Sequence, residues 1–482
     1  MSLVLKNATL ITAADIFRAD ILIEGEQIRA IGQGLNASQA LDCQGKMITP
    51  GGVDAHTHFD LPMPGTVSSD DHYTGHKAAA FGGVTTVIDF VPHPGADELS
   101  TKERGGLRVG VEAWRAKADP ALGGKACIDF GFHMNITHFD EAVAQEIADL
   151  PALGITSLKV FTAYNGRLRL GDGEIFQVMR IAKEHGILTL LHAENGDVIE
   201  LLIAEARRAG HCSAEWHART RPAWGAVEAT LRGAALAAQA GAPLYIVHTN
   251  AAGEVDQIQY AREHGLPVMG ETCPQYLFFT EDHLRRPDGA KWVCAPPMRA
   301  AADNARLWQG LQEGTLQTIA TDHCPFFFNG AQPILYEGQE IAIPGKELGR
   351  EDFTKIPNGL PGVGDRLPVL WTYGVGAGRL SPQQFVALNS ANPAKIFGLY
   401  PQKGALLPGS DADLVVWDPE RRVTYGTAYA QHRTDYNLYE GWELVGMPEK
   451  VMLRGQWIVE DGRWLGRAGM GRFLKRRSGL VL

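Results

Sequence analysis

Two rhythms of apolar and polar positions divide this chain. Over the first fifty residues short apolar runs alternate with turns, and residues 4–11 and 21–28 read as strands of a small antiparallel unit. The end of the chain returns to that style, with residues 413–417 and 450–457 strand-like and glycine turns between them. From about residue 50 to 400 the pattern becomes strand, loop, helix, repeated. Residues 84–89, 157–161, 188–192 and 244–248 are short, largely continuous apolar runs, as strands buried on both faces require. Helical stretches separate them, for example 175–185 and the alanine-rich 226–240. Alternating strands and helices predict a parallel sheet. Polar residues recurring at the C-terminal ends of the strands favour its closure into a barrel, whose sites lie on that face. The expected architecture is α/β: a (β/α)8 TIM barrel over residues 51–400, with a small β-sandwich domain built from both chain ends, residues 1–50 and 401–465. A C-terminal tail, 466–482, follows.

Composition narrows the function classes. A length of 482 residues exceeds one ordinary compact domain but suits a large barrel with an accessory unit. The formal net charge of -10, from 45 basic and 55 acidic side chains, argues against a nucleic-acid partner. Six cysteines in so long a chain, none in a C-x-x-C pair, make no disulfide framework. The start lacks a basic segment followed by an apolar run, so no signal peptide is expected. No apolar stretch approaches the roughly 20 residues that cross a bilayer, so no membrane partner is expected either. The expected compartment is the cytoplasm.

The chemistry begins at His56-Thr57-His58, after the strand-like residues 47–53. Residues two apart in a strand point to one side, so both imidazoles can reach one ion. Alone, the pair is equally compatible with two hydrogen-bonded histidines. His192 and His248 alter the balance, because each ends its own apolar run, and Thr318-Ile319-Ala320-Thr321-Asp322 ends another with a carboxylate, followed by His323. Lys159 interrupts a buried run, where a lone ammonium is costly. It either snorkels or pairs with a carboxylate, or else it adds CO2 to become a carbamate whose two oxygens bridge two metals. Four histidines, an aspartate and this lysine are too many ligands for a single four-coordinate zinc.

These residues lie in motifs that resemble the cyclic amidohydrolases of the amidohydrolase superfamily, most closely the dihydropyrimidinases and D-hydantoinases. The motifs are Gly51-Gly52-Val53-Asp54-Ala55-His56-Thr57-His58, Ser157-Leu158-Lys159-Val160-Phe161-Thr162-Ala163-Tyr164, His192-Ala193-Glu194-Asn195-Gly196, Val247-His248, Ala320-Thr321-Asp322-His323-Cys324-Pro325-Phe326 and Ile356-Pro357-Asn358-Gly359. The terminal stretches 409–415 and 471–477 look like the same subgroup, so the likeness runs over nearly the whole chain. The resemblance implies two divalent metal ions, zinc by default with manganese or cobalt as options. His56, His58 and Asp322 would hold one, His192 and His248 the other, and N6-carboxylated Lys159 would bridge both. It also implies that Tyr164 hydrogen-bonds the substrate and its oxyanion, and that the main chain at Ala295 and Asn358 contacts the ring imide. A homotetramer is expected from the same likeness, with the C-terminal tail crossing onto a neighbouring subunit.

The implied reaction is ring-opening of a small cyclic amide, a 5,6-dihydropyrimidine or a hydantoin, to an N-carbamoyl amino acid. Bound cations would make water a nucleophile at neutral pH, and Asp322 would pass its proton to the leaving nitrogen. The chain departs from the family pattern at Ala295, where serine is expected, and in residues 326–351, which are longer than usual and read as a lid or an interface insertion. Residues 61–66 form a substrate-contacting loop by analogy. The rival readings are an allantoinase or dihydroorotase-like enzyme and a non-catalytic scaffold of the same fold. A dihydroorotase needs a basic residue for its substrate's carboxylate, and none is evident beside Asn358. A scaffold would have lost ligands that this chain retains.

Overall fold

The computed structural model of the chain describes residues 2–95 and 106–482. Its middle holds an eight-stranded sheet whose strands neighbour one another in chain order. They are β1 (Gly52–Thr57), β2 (Val84–Val91), β3 (Asp129–Asn135), β4 (Ser157–Phe161), β5 (Leu188–His192), β6 (Leu244–Ile246), β7 (Val268–Thr272) and β8 (Thr318–Ile319). Every pairing between them is parallel. A bridge from Thr57 to His323 joins the end of β1 to the segment after β8, so the sheet is a nearly closed barrel. Helices such as Asp172–Glu184, Ala223–Ala240 and Ala252–Glu263 connect the strands.

Alternation along each strand decides what faces inward. In β5, Leu188 and Leu190 join the interior core with Phe90, Tyr245 and Met269, and the same period carries His192 inside. In β4, Leu158 and Val160 pack outward against the helices, which turns Lys159 inward. In β7, Met269 faces in and so does Glu271, two positions later.

Strands from both chain ends make one nine-stranded sheet over a separate core that includes Leu5, Leu10, Ile21, Ile48, Leu414, Val416 and Met452. Its order runs from Arg463–Trp464 through Gln456–Glu460, Glu443–Leu453, Leu414–Thr424, Met47–Pro50, Ser2–Ile11 and Ile16–Glu24 to Gln27–Gly32. The sheet is mixed, not purely antiparallel, because Ser2–Ile11 also runs parallel to Gln39–Asp42 and Met47–Pro50. Residues 47–53, expected as one run, divide between the two sheets. Met47–Pro50 pairs with the strand beginning at Leu414, and β1 starts at Gly52. At the junction, Gly51, a Cβ would fall 2.1 Å from Thr85 Oγ1, so a side chain here would collide with that of Thr85. Residues 21–28 and 450–457 likewise split into hairpins, at Gly25 (φ 61°) and at Arg454-Gly455 (φ 43° and 74°).

Buried charges tie the end sheet to the barrel. Lys403 Nζ lies 2.6 Å from Asp129 of β3 and 2.8 Å from Asp413. The C-terminal tail makes contacts with its own barrel. Leu474 N–H donates to Phe130 O at 2.7 Å, and the buried Arg476 guanidinium donates to Ser157 Oγ at 2.8 Å. Within 326–351 a short hairpin, Ile334–Tyr336 with Gln339–Ile341, is anchored by Glu337 on Lys77 at 2.6 Å. No helix among the described residues is long and apolar enough to cross a membrane.

Candidate metal centre

The site is assembled at the C-terminal ends of the barrel strands. Asp54, inside β1, accepts the Thr321 hydroxyl at 2.7 Å and the Thr321 N–H at 3.2 Å. This fastens the end of β1 to the segment after β8 and places Asp322 opposite the two β1 histidines. Asp322 Oδ1 is 3.0 Å from His56 Nε2 and 3.1 Å from His58 Nε2. These three side chains form a cluster able to hold a metal ion. Lys159 Nζ reaches 3.1 Å from the same His56 Nε2 and lies 4.4 Å from the centre of the Phe90 ring.

A second pair adjoins the first. His192 Nδ1 is 2.9 Å from His248 Nε2, and the His56 and His248 ring centres are 5.4 Å apart. His248 lies beyond the last residue of β6, and Asp322 beyond that of β8, so neither is part of the strand that the apolar run predicts. Both take left-handed backbone, at φ 40° and 52°, as does Tyr164 at φ 68°. Such conformations cost on the order of 1–3 kcal/mol each in non-glycine residues. Three of them converge on one site.

Carboxylates behind the imidazoles set which nitrogen faces the cluster. Glu271 accepts from His56 Nδ1 and also takes the Tyr245 hydroxyl at 2.8 Å and the His248 N–H at 3.1 Å. His56 Nε2 is thereby turned inward. Glu194 does the same for His192, lying 3.0 Å from Nε2 and leaving Nδ1 toward His248. Outer-shell acceptors of this kind fix tautomer and ring orientation in metal sites.

Burial and charge bring most of the groups to their metal-binding protonation states. Burial pulls His58 down to about 4. It also holds His248 well below the ordinary histidine range, with His192 and Lys159 adding to the effect. Burial opposes ionisation of Asp322, yet His56 and His58 outweigh it and keep the carboxyl well below its usual range. Burial likewise lowers Lys159, against the pull of Asp322. Burial and Lys159 oppose the charged form of His56, yet Asp322 and Glu271 outweigh them and raise its pKa, so a cation there would displace a proton. Three imidazoles held neutral, a fourth facing two carboxylates, an ionised aspartate and a lysine biased toward its free amine are a donor set that fits zinc, manganese or cobalt.

One cavity, of about 140 Å³, is lined by His58, Lys159, Tyr164, His192, His248, Ala295, Asp322 and Asn358. Of the expected metal ligands, only His56 is not among its lining, being fully buried behind them. Leu61, Met63, Pro92, Phe161 and Leu168 supply an apolar flank, and Arg167 lines it as well. The Tyr164 ring lies 5.2 Å from that of His192, and its phenol is pushed up by burial and by Glu194. His323 is turned away from the cavity. Its Nδ1 accepts the Gly362 and Val363 N–H groups, and its Nε2 is 3.2 Å from Asp70. Sequence reasoning passed over Glu271 and Asp54. A carboxylate ending the apolar run 268–272 was the available signal for the first, whereas the quoted motif held the second without a role.

Comparison with known proteins gives a consistent answer. The amidohydrolase family profile matches residues 47–458. A D-hydantoinase of Geobacillus stearothermophilus is 42% identical, over 99% of this chain and 97% of its own. A D-hydantoinase of Streptomyces coelicolor is 40% identical, over 98% of each chain. The crystal structure of a dihydropyrimidinase from Brevibacillus agri superposes with a TM-score of 0.92 at 42% identity, covering 100% of both chains.

Proposed function

This chain belongs to the amidohydrolase family, and on that premise we propose that it hydrolyses the cyclic amide bond of a 5,6-dihydropyrimidine or a hydantoin to an N-carbamoyl amino acid. It is a cyclic amidohydrolase. The observation that carries the finer reading is the single cavity on which candidate ligands from five parts of the barrel converge with Tyr164, Ala295 and Asn358.

His56, His58 and Asp322 would hold one divalent ion, His192 and His248 a second, with N6-carboxylated Lys159 between them; zinc is the default. Such ions, when bound, lower the pKa of water by many units and so supply a nucleophile near neutral pH. The chain's own groups do the rest. Asp322, ionised and buried, takes the proton of the attacking water and delivers it to the leaving ring nitrogen. The Tyr164 phenol, kept protonated by burial, donates to the oxyanion that develops on the attacked carbonyl. The main chain at Ala295 and Asn358 holds the ring imide, and the apolar flank at Leu61, Met63, Phe161 and Leu168 takes the ring substituent. A homotetramer in the cytoplasm completes the reading, with size measured by light scattering.

Assays of the purified enzyme against dihydrouracil, hydantoin, 5-phenylhydantoin, allantoin and dihydroorotate test it. Turnover of at least one of the first three is expected. One observation favours a second reading: Arg167 lines the cavity, and a cation there suits a substrate carboxylate. Rapid turnover of dihydroorotate with none of the first three would select that reading over ours.

A further inference from the structure

Lys346 is a buried cation that the metal site does not use. It sits at the end of the long 326–351 segment, in the turn Lys346–Gly349, with 1% of its surface exposed. Its Nζ donates to Val293 O at 2.9 Å and to Pro357 O at 3.1 Å. Among the described residues no carboxylate pairs with it. A buried ammonium without a counter-ion is costly, so the two carbonyls are what it is held there to meet.

The turn is built to present it. Lys346 N–H donates to Phe327 O at 2.7 Å, and the Glu347 carboxylate takes the Gly330 and Gly345 N–H groups at 2.9 and 3.0 Å. At Gly345 a Cβ would lie 2.0 Å from Phe327 O, so only glycine allows this approach. The targets are equally specific. Val293 lies two residues before Ala295, Pro357 immediately precedes Asn358, and Gly359 N–H also donates to Val293 O at 3.2 Å.

We propose that Lys346 is a positioning residue for substrate: by donating to Val293 and Pro357 together, it sets the spacing between the main chains at Ala295 and Asn358 that clasp the ring imide. This rests on the reading of Ala295 and Asn358 given above. It also gives the long segment a role beyond that of a lid, since its last turn is bonded to the two chain segments that carry Ala295 and Asn358. A lysine serving only the fold would affect binding, turnover and metal content alike.

The test compares Lys346→Met and Lys346→Gln with the wild type, all metal-loaded, on whichever cyclic amide the wild type turns over. For Lys346→Met we expect unchanged metal content, kcat within about threefold, and KM raised about tenfold. Lys346→Gln retains one donor and falls between. An unmoved KM in a folded variant overturns the proposal, as does loss of kcat and metal in step with KM, or failure of both variants to fold. A wild type that opens no cyclic amide sinks the functional reading and this role together. An active wild type with unmoved variants sinks the role of Lys346 alone.

Discussion

Glu271 accepts the Nδ1 proton of His56 and thereby turns His56 Nε2 to within 3.0 Å of Asp322 Oδ1. The same carboxylate takes the Tyr245 hydroxyl and the His248 N–H, so one side chain on β7 orients candidate ligands of both ions. Glu271→Gln is therefore expected to weaken metal binding by about 10- to 100-fold. Titration of the apoenzyme with zinc, read by metal analysis after dialysis, would measure it; wild-type affinity in the variant would refute the orienting role.

Lys159→Ala is expected to lose metal as well as rate, because the side chain points from β4 into the cluster and no neighbour replaces its reach. Added short carboxylic acids should restore part of both by occupying the space with a bridging carboxylate. A variant that keeps two ions and full rate without them would remove Lys159 from the ligand set.

Tyr164→Phe removes one donor from the proposed oxyanion position while leaving the ring against His192. The expected loss in kcat is on the order of 10²- to 10³-fold, with little change in KM or metal content. Equal losses in kcat and metal would instead assign the tyrosine to the integrity of the site.

Glu254 supplies a pH dependence of stability away from the metal cluster. It accepts the Asn250 and Ala251 N–H groups at 3.0 and 2.9 Å, and burial raises its pKa to about 7. The native state then keeps a proton that the unfolded chain has released, so stability falls as pH rises from about 4.5 to 7 and levels off above. Over that window the loss is a few kcal/mol, about 1.4 per pKa unit. Asp89, also raised to about 7 by burial, contributes in the same window, so Glu254→Gln should reduce this slope in denaturant unfolding at pH 5 and pH 8, and an unchanged slope would exclude Glu254 as a source.

The barrel and its candidate ligands were legible because both are written in local patterns. Residues 157–161 and 188–192 are fully buried strands with matching sequence and structural bounds, and their alternation carries Lys159 and His192 inward. Other readings needed the chain's long-range contacts. His323 shares a motif with Asp322, yet it faces Asp70, a partner that only the folded chain brings near. The apparent strand 318–322 stops at Ile319, and Asp322, beyond it in left-handed backbone, faces His56 and His58.

By itself the sequence determined an α/β barrel, a second sheet made from the two chain ends, and a set of histidines, a lysine and an aspartate at strand ends. These follow from hydrophobic period and residue chemistry, which are properties of short segments. Only the tertiary structure decided that Gly51 divides the two sheets, that the tail docks on its own barrel, that Glu271 orients the imidazoles and that Lys346 joins two loops 64 residues apart (Val293 and Pro357). Each of these depends on where distant backbones meet. Buried polar groups take whichever partner closure brings within about 3 Å, and no local periodicity specifies that partner.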